Sequence, residues 1–94
     1  MNVREIIAWN LRTRRVALGL SQEEMALRAG IDRAYVGRVE RAKENITVAT
    51  LEALAIVLDI HVGQLFAPVP PDAAPSPRLP AGRKSKVTRT GRQK

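Results

Sequence analysis

The sequence has no cysteine, one histidine and only three aromatic residues among its 94 residues. Without cysteine, disulfides, thiolate zinc sites and a cysteine nucleophile are excluded, and a reducing compartment is compatible with the chain. The lone imidazole of His61 gives catalysis little to work with, and no spacing typical of metal ligands or of a nucleophile–base pair is present. No apolar run approaches the roughly 20 residues of a membrane span. We therefore expect a cytoplasmic protein that is not an enzyme and needs no metal or other cofactor.

The net charge of +7 is unevenly distributed along the chain. Residues 1–66 hold nine Lys/Arg against eight Asp/Glu, a net charge of +1, whereas residues 67–94 hold seven against one, a net charge of +6. The basic excess therefore lies mostly in the C-terminal part. For the first 66 residues, an argument for nucleic-acid binding must rest on where individual charges lie.

The composition changes abruptly after Phe66. All six prolines fall within thirteen residues of "APVPPDAAPSPRLPAG", and the basic stretch "RKSKVTRTGRQK" that follows has almost nothing to bury. Such a segment cannot offset its own ordering entropy. We predict one folded domain over residues 1–66, followed by a Pro-rich linker and a disordered basic tail over residues 67–94.

Before Phe66, apolar residues recur at helical spacing, and cap or turn residues divide the chain into five short pieces without a strand. Asn2, with Glu5 three residues later, gives a capping-box pattern for the first helix, in which Ile7, Leu11 and Leu18 fall near one face. The later start and stop signals are Gly19, Ser21, Gly30, Asp32 and Thr47, and the segment "DIHVGQLF" predicts a short fifth helix or turn.

Two of these pieces, 21–29 and 32–41, are joined by Gly30 and Ile31 at the spacing of a helix-turn-helix. That geometry requires a small residue where the helices cross, which Ala26 supplies, and a glycine in the turn. It also requires apolar residues that hold the second helix at its steep angle, and Val36 and Val39 meet this requirement at i, i+3 spacing.

The segment "GLSQEEMALRAGIDRAYVGRVERAKENITVATLEALAIVLDI" resembles the Cro and phage-repressor class of helix-turn-helix regulators, often called the Xre family. The "DRAYVGRVER" stretch followed by "EN" is most similar to controller proteins of restriction-modification systems. The resemblance implies an all-α, compact five-helix, lambda-repressor-like domain. It also implies a transcription regulator that binds a pseudo-palindromic double-stranded DNA operator as a homodimer, with helix 32–41 in the major groove. The sequence departs from the family pattern at Ala42, where relatives commonly have Gly, and at Ile46, where they have Pro.

The resemblance also implies roles for individual residues. Arginine suits guanine because its planar fork donates to O6 and N7 together, and a small residue such as Ala34 can touch a thymine methyl group. We expect base contacts from Arg33, Ala34 and Arg38, with Gly37 on the same outward face. Contacts with the DNA backbone are expected from Ser21, Gln22, Tyr35, Arg41, Lys43 and Asn45. Arg15 and Glu40 are expected to form a structural ion pair.

Several of these residues have a second interpretation. Arg33 and Arg38 are also compatible with an ordinary exposed charged face, Arg41 with a solvated charge favoured by the helix dipole, and Tyr35 with simple packing. The apolar residues near the fifth helix exceed the apparent need of the core, which favours a dimer interface over a merely larger core. That interface is expected to contain Ile60, Val62, Leu65 and Phe66.

Two other functional classes stay open on the sequence alone. The chain is compatible with an antitoxin or another protein-interaction module whose tail wraps a partner and whose DNA binding is secondary. It is also compatible with a sequence-indifferent nucleic-acid coater, for which the basic tail would suffice. No small-molecule effector is indicated, because no sensor domain is evident.

Overall fold

A computed structural model describes residues 1–73, which form four α-helices followed by one short 3₁₀ helix. The helices are α1 (Val3–Ala17), α2 (Gln22–Ala29), α3 (Arg33–Glu40) and α4 (Val48–Leu58), and the 3₁₀ helix is Val62–Phe66. The all-α prediction is confirmed for the described residues, and the fifth element is a 3₁₀ turn. Residues 67–73 contain neither helix nor strand. The rest of the predicted linker and tail, residues 74–94, lies outside the described residues.

Each helix begins at the cap residue that the sequence suggests. The Asn2 side chain accepts from Glu5 N–H while the Glu5 carboxylate accepts from Asn2 N–H, which completes the capping box. Ser21 and Thr47 cap α2 and α4 through their hydroxyl oxygens. Asp32 occupies the N-cap position of α3, although its side chain makes no capping hydrogen bond.

All four α-helices end in the same hydrogen-bonding pattern. In α2, for example, Ile31 N–H donates to Ala26 O at 3.0 Å and Gly30 N–H donates to Leu27 O at 3.2 Å, which is a Schellman motif. The motif needs a left-handed residue just past the helix. Gly19, Gly30, Ala42 and Asp59 take that position, with φ between 56° and 73°.

The core lies between the four α-helices and the 3₁₀ helix, and all five elements contribute side chains to it. Its fully buried large side chains are Leu11, Met25, Val36, Leu54, Leu58 and Leu65. Leu65 is 0% exposed within a single chain, so it belongs to the core of the monomer, and its place in a dimer interface stays a prediction. Leu18 follows the last residue of α1 and is 42% exposed, whereas Ile7 and Leu11 are buried.

Two polar side chains of α1 hold the C-terminal part of the domain. Asn10 Nδ2 donates to Leu65 O at 3.2 Å and to Ala67 O at 2.9 Å, and Arg14 Nε donates to Leu58 O at 3.0 Å. These donors satisfy carbonyl groups at the ends of the 3₁₀ helix and of α4 that have no partner within their own helices. Within residues 1–73, no helix is long and apolar enough to cross a membrane.

Candidate nucleic-acid interface

The α2–α3 unit has the geometry of a helix-turn-helix. Gly30 turns the chain at φ 72°, and Ala26 is buried where the helices approach each other. Val36 and Val39 are buried on the inner side of α3 and fix its orientation against the core. The opposite side of the same helix therefore stays free to meet a ligand.

The outward face of α3 carries Arg33, Ala34 and Arg38, which are all exposed. Gly37 was expected on this face, but it is buried and does not belong to it. The guanidinium of Arg41 covers it, with Nη1 3.2 Å from the position that a Cβ would occupy, and Gln22 Oε1 lies at 3.9 Å. A larger residue at position 37 would push the Arg41 side chain aside.

Arg38 is held by two neighbours. Its Nε donates to Glu44 Oε1 at 2.8 Å, and its guanidinium carbon lies 5.6 Å from the centre of the Tyr35 ring. The hydrogen bond to Glu44 raises the pKa of Arg38 further above its already high ordinary value. Tyr35 is half-buried and packs against the core, so its ring has a packing role whatever its hydroxyl does.

Glu40, at the end of α3, joins three helices. Its carboxylate accepts from Arg15 Nε at 2.6 Å and from Arg15 Nη2 at 2.9 Å, and Gln22 Nε2 donates to the same group at 3.0 Å. The expected Arg15–Glu40 pair is thus present with bidentate geometry. Burial lowers the pKa of the nearby Arg12, an effect that the Glu40 charge opposes.

The residues expected at the DNA backbone differ in how free their side chains are. The Ser21 hydroxyl and the Gln22 amide already hydrogen-bond within the protein, to Glu24 N–H and to Glu40 respectively. By contrast, Arg41, Lys43 and Asn45 lie exposed at the end of α3 and in the loop that follows it. No cluster of three or more potential metal ligands occurs in residues 1–73.

Comparison with known proteins agrees with this geometry. Residues 11–65, more than half of the chain, match the family described as Helix-turn-helix (HTH_3). The chain belongs to this Xre-type helix-turn-helix family. Members of the HTH_3 family are DNA-binding transcription regulators and not enzymes.

Individual relatives refine the position within the HTH_3 family. A hypothetical transcription factor of Neisseria meningitidis serogroup B is 42% identical over 67 residues, which are 71% of this chain but only 63% of that protein. Its crystal structure superposes with a TM-score of 0.70, covering 71% of this chain and 77% of that one. Control protein C.SmaI of Serratia marcescens is 43% identical over 66 residues, covering 70% of this chain and 79% of its own.

The restriction-modification controller protein C.AhdI of Aeromonas hydrophila gives a second structural match. Its crystal structure superposes with a TM-score of 0.66 at 43% identity, covering 67% of this chain and 96% of that one. The protein is therefore an HTH_3 regulator related to restriction-modification controller proteins.

Two charged residues near α3 were not predicted from the sequence. Glu44 pairs with Arg38 across a separation of six residues, and no helical spacing signals such a contact. Arg12 lies half-buried beside Glu40. Its position three residues before Arg15 on α1 was the available signal, because residues at i and i+3 share a helix face.

Proposed function

We propose that the protein is a sequence-specific regulator that binds double-stranded DNA as a homodimer, with α3 in the major groove of each half-site. The observation that carries the proposal is the division of α3 into two faces. Val36 and Val39 are buried behind it, and Arg33 and Ala34 stand exposed in front. A helix anchored in this way presents its outer side chains to base edges with little freedom to tilt.

Within this proposal, some exposed residues contact the bases and others contact the phosphates. Arg33 and Arg38 read guanine, and Ala34 permits close approach and touches a thymine methyl group. Arg41, Lys43 and Asn45 hold phosphates, and these three exposed residues alternate with the partly buried Ala42 and Glu44 at the end of α3 and in the loop after it. Gln22 has one fewer donor for a phosphate, because one of the two N–H groups of its amide donates to Glu40. Ser21, at the start of α2, and Tyr35, at the edge of α3, also contact the DNA backbone.

The homodimer is supported by exposed apolar side chains near the 3₁₀ helix. Phe66 is 44% exposed, Val62 36% and Ile56 73%, whereas Ile60 packs partly against the core. We propose Ile56, Val62 and Phe66 as the interface, with Ile60 at its margin and Leu65 supporting it from below. Two copies bring two α3 helices to one duplex, which suits two half-sites about one helical turn apart.

Two alternatives rest on a different part of the chain. A protein-interaction module and a sequence-indifferent coater both depend on residues 67–94, most of which lie outside the described residues. The described interface and the names of the relatives favour DNA regulation as the main role, and we expect it to take place in the cytoplasm. Truncation after Phe66 discriminates, because it should spare operator recognition if α3 reads the DNA.

The test begins with selection of bound sites from random DNA. Affinities for the selected site and for all its single-base variants are then measured at two salt concentrations. A bidentate arginine–guanine contact contributes about 1–3 kcal/mol of discrimination at one base pair, whereas a phosphate contact contributes to every sequence alike.

We expect Arg33→Ala to relax the preference at one position of each half-site. Lys43→Ala should lower affinity for all sequences and reduce the salt slope by about one unit. Each variant serves as the other's control. The comparison therefore separates a general loss of affinity for DNA from a loss of discrimination between bases. Uniform losses in both variants, or a wild type without base preference, would refute the proposed function.

A further inference from the structure

An acidic side chain lies next to one of the arginines that we propose as base readers. Glu44 Oε1 accepts from Arg38 Nε at 2.8 Å, and the two side chains are 25% and 45% exposed. A carboxylate here is unexpected in a surface meant to meet DNA, because it repels phosphates and base acceptors alike. Its presence calls for a role other than attraction to the duplex.

The backbone at the end of α3 brings Glu44 to this place. Lys43 N–H donates to Arg38 O at 2.8 Å and Ala42 N–H donates to Val39 O at 3.0 Å. These bonds turn the chain back through Ala42, whose φ is 59°. The residue that follows Lys43 therefore lies beside Arg38, although six positions separate them in the sequence. The backbone at the end of α3 thus brings the two residues close enough for their side chains to hydrogen-bond.

The guanidinium of Arg38 is limited from two sides. The Glu44 carboxylate takes the Nε–H, and the Tyr35 ring lies 5.6 Å from the guanidinium carbon. Arginine has five N–H donors in a planar fork, so the terminal Nη1 and Nη2 groups retain donors for a ligand. Those two groups together can still donate to O6 and N7 of one guanine.

We propose that Glu44 is a specificity-determining positioning residue, which fixes the fork of Arg38 for a base and lowers affinity for DNA that lacks that base. The proposal rests on the proposed function of α3. On a site with the correct base, Arg38 keeps its hydrogen bond to Glu44 and also donates hydrogen bonds to a guanine. On an incorrect site, a phosphate that accepts from the terminal nitrogens of Arg38 lies close to the Glu44 carboxylate, whose negative charge repels it. Specificity is the difference between the affinities for the correct and the incorrect site. The arrangement of Arg38 and Glu44 favours binding to the correct site and disfavours binding to the incorrect one.

The expected effects are modest and measurable. Ion pairs with exposed partners are weak, so the loss of Glu44 should reduce discrimination at the base pair read by Arg38 about two- to fivefold. The same loss should raise affinity for an unrelated duplex about twofold at low salt, because one negative charge near the phosphates has gone. If Glu44 had only a structural role, its loss would lower the affinity for the selected site and the affinity for the unrelated duplex together.

The experiment uses the full chain and four variants: Glu44→Gln, Arg38→Ala, the two combined, and Glu52→Gln. Glu52→Gln is the matched control, because it removes the same charge from an exposed position on α4. Affinities are measured for the selected site, its single-base variants and an unrelated duplex, and circular dichroism checks that each variant is folded. Arg38→Ala identifies the base pair that Arg38 reads.

We expect Glu44→Gln to lose discrimination at that base pair alone, to keep it at the position read by Arg33, and to bind the unrelated duplex more tightly. In the Arg38→Ala background it should have no further effect on discrimination. Unchanged discrimination in Glu44→Gln, or a similar loss in Glu52→Gln, would overturn this inference and leave the proposed function standing. A wild type without any base preference would overturn both.

Discussion

Replacing Glu40 by alanine removes the carboxylate that joins α1, α2 and α3. Its side chain is 3% exposed and that of Arg15 is 12% exposed, so the pair is shielded from water. Glu40→Ala leaves the guanidinium of Arg15 without its counter-charge and the amide of Gln22 without its acceptor. Arg15 keeps only one protein hydrogen bond among those described, from Nη1 to Leu20 O at 2.8 Å.

The size of the effect follows from this burial. Breaking a buried ion pair by removing one partner costs about 3–5 kcal/mol. A folded unit of this size has a free energy of unfolding of about 4–11 kcal/mol, at roughly 0.05–0.15 kcal/mol per residue. Glu40→Ala should therefore remove a large fraction of the stability. Glu40→Gln keeps an acceptor for hydrogen bonds but loses the charge, and we expect a cost of about 2 kcal/mol.

Urea denaturation of the full chain, followed by circular dichroism, measures these differences. The decisive control is Arg15→Met combined with Glu40→Leu, because replacing both charges by apolar side chains leaves no buried charge without its counter-charge, although the Gln22 amide and the Leu20 carbonyl lose their partners. This double variant should recover most of the stability that Glu40→Ala loses. If Glu40→Ala cost less than about 1 kcal/mol, the pair would behave like a surface ion pair and the reasoning from burial would be refuted.

Two further predictions concern the dimer surface and backbone strain. Phe66→Asp should convert a dimer into a folded monomer, whereas Leu65→Asp should unfold the domain, because Phe66 is 44% exposed and Leu65 is fully buried. Sedimentation velocity measures the oligomeric state of each variant, and circular dichroism measures whether it is folded. If Phe66→Asp remained a dimer, the proposed surface would be contradicted. Gly30→Ala should lower the free energy of unfolding by about 1 kcal/mol, because φ is 72° while no atom lies within 4 Å of the added Cβ. Ala42→Gly should change it in the opposite direction in the same urea assay, and a loss in both variants would contradict the account of strain.

Helix boundaries could be predicted from the sequence because they depend on local chemistry. Asn2, Ser21 and Thr47 each cap the helix that follows, through bonds that span three residues. The core of the helix-turn-helix was also predictable, since Val36 and Val39 follow helical periodicity. Such features need no knowledge of how distant parts of the chain meet.

The surface near the 3₁₀ helix was harder, because periodicity marks a residue as apolar without saying which neighbour covers it. Leu65 and Phe66 are adjacent and both apolar, yet one is buried and the other is not. The choice depends on the approach of α1, whose Asn10 holds the carbonyl of Leu65. That contact spans 55 residues and leaves no local signal.

The four helix ends show why the loop after α3 differs from the others. At the other three ends, the left-handed position is held by Gly19, Gly30 or Asp59, residue types that tolerate this conformation, and the following residue is apolar and packs on the core. Those following residues are Leu20, Ile31 and Ile60. After α3, both preferences are broken, because Ala42 is left-handed and Lys43 is exposed.

Departures from local preference are expected at functional sites, where another requirement outweighs stability. A glycine at position 42 would relieve the strain, but it would also allow the loop many more backbone conformations. Alanine narrows that range, so the loop that carries Lys43 and Glu44 has fewer alternatives to the observed turn. The strained residue thus supports the placement of Glu44 beside Arg38, at the point where we propose that the protein meets DNA.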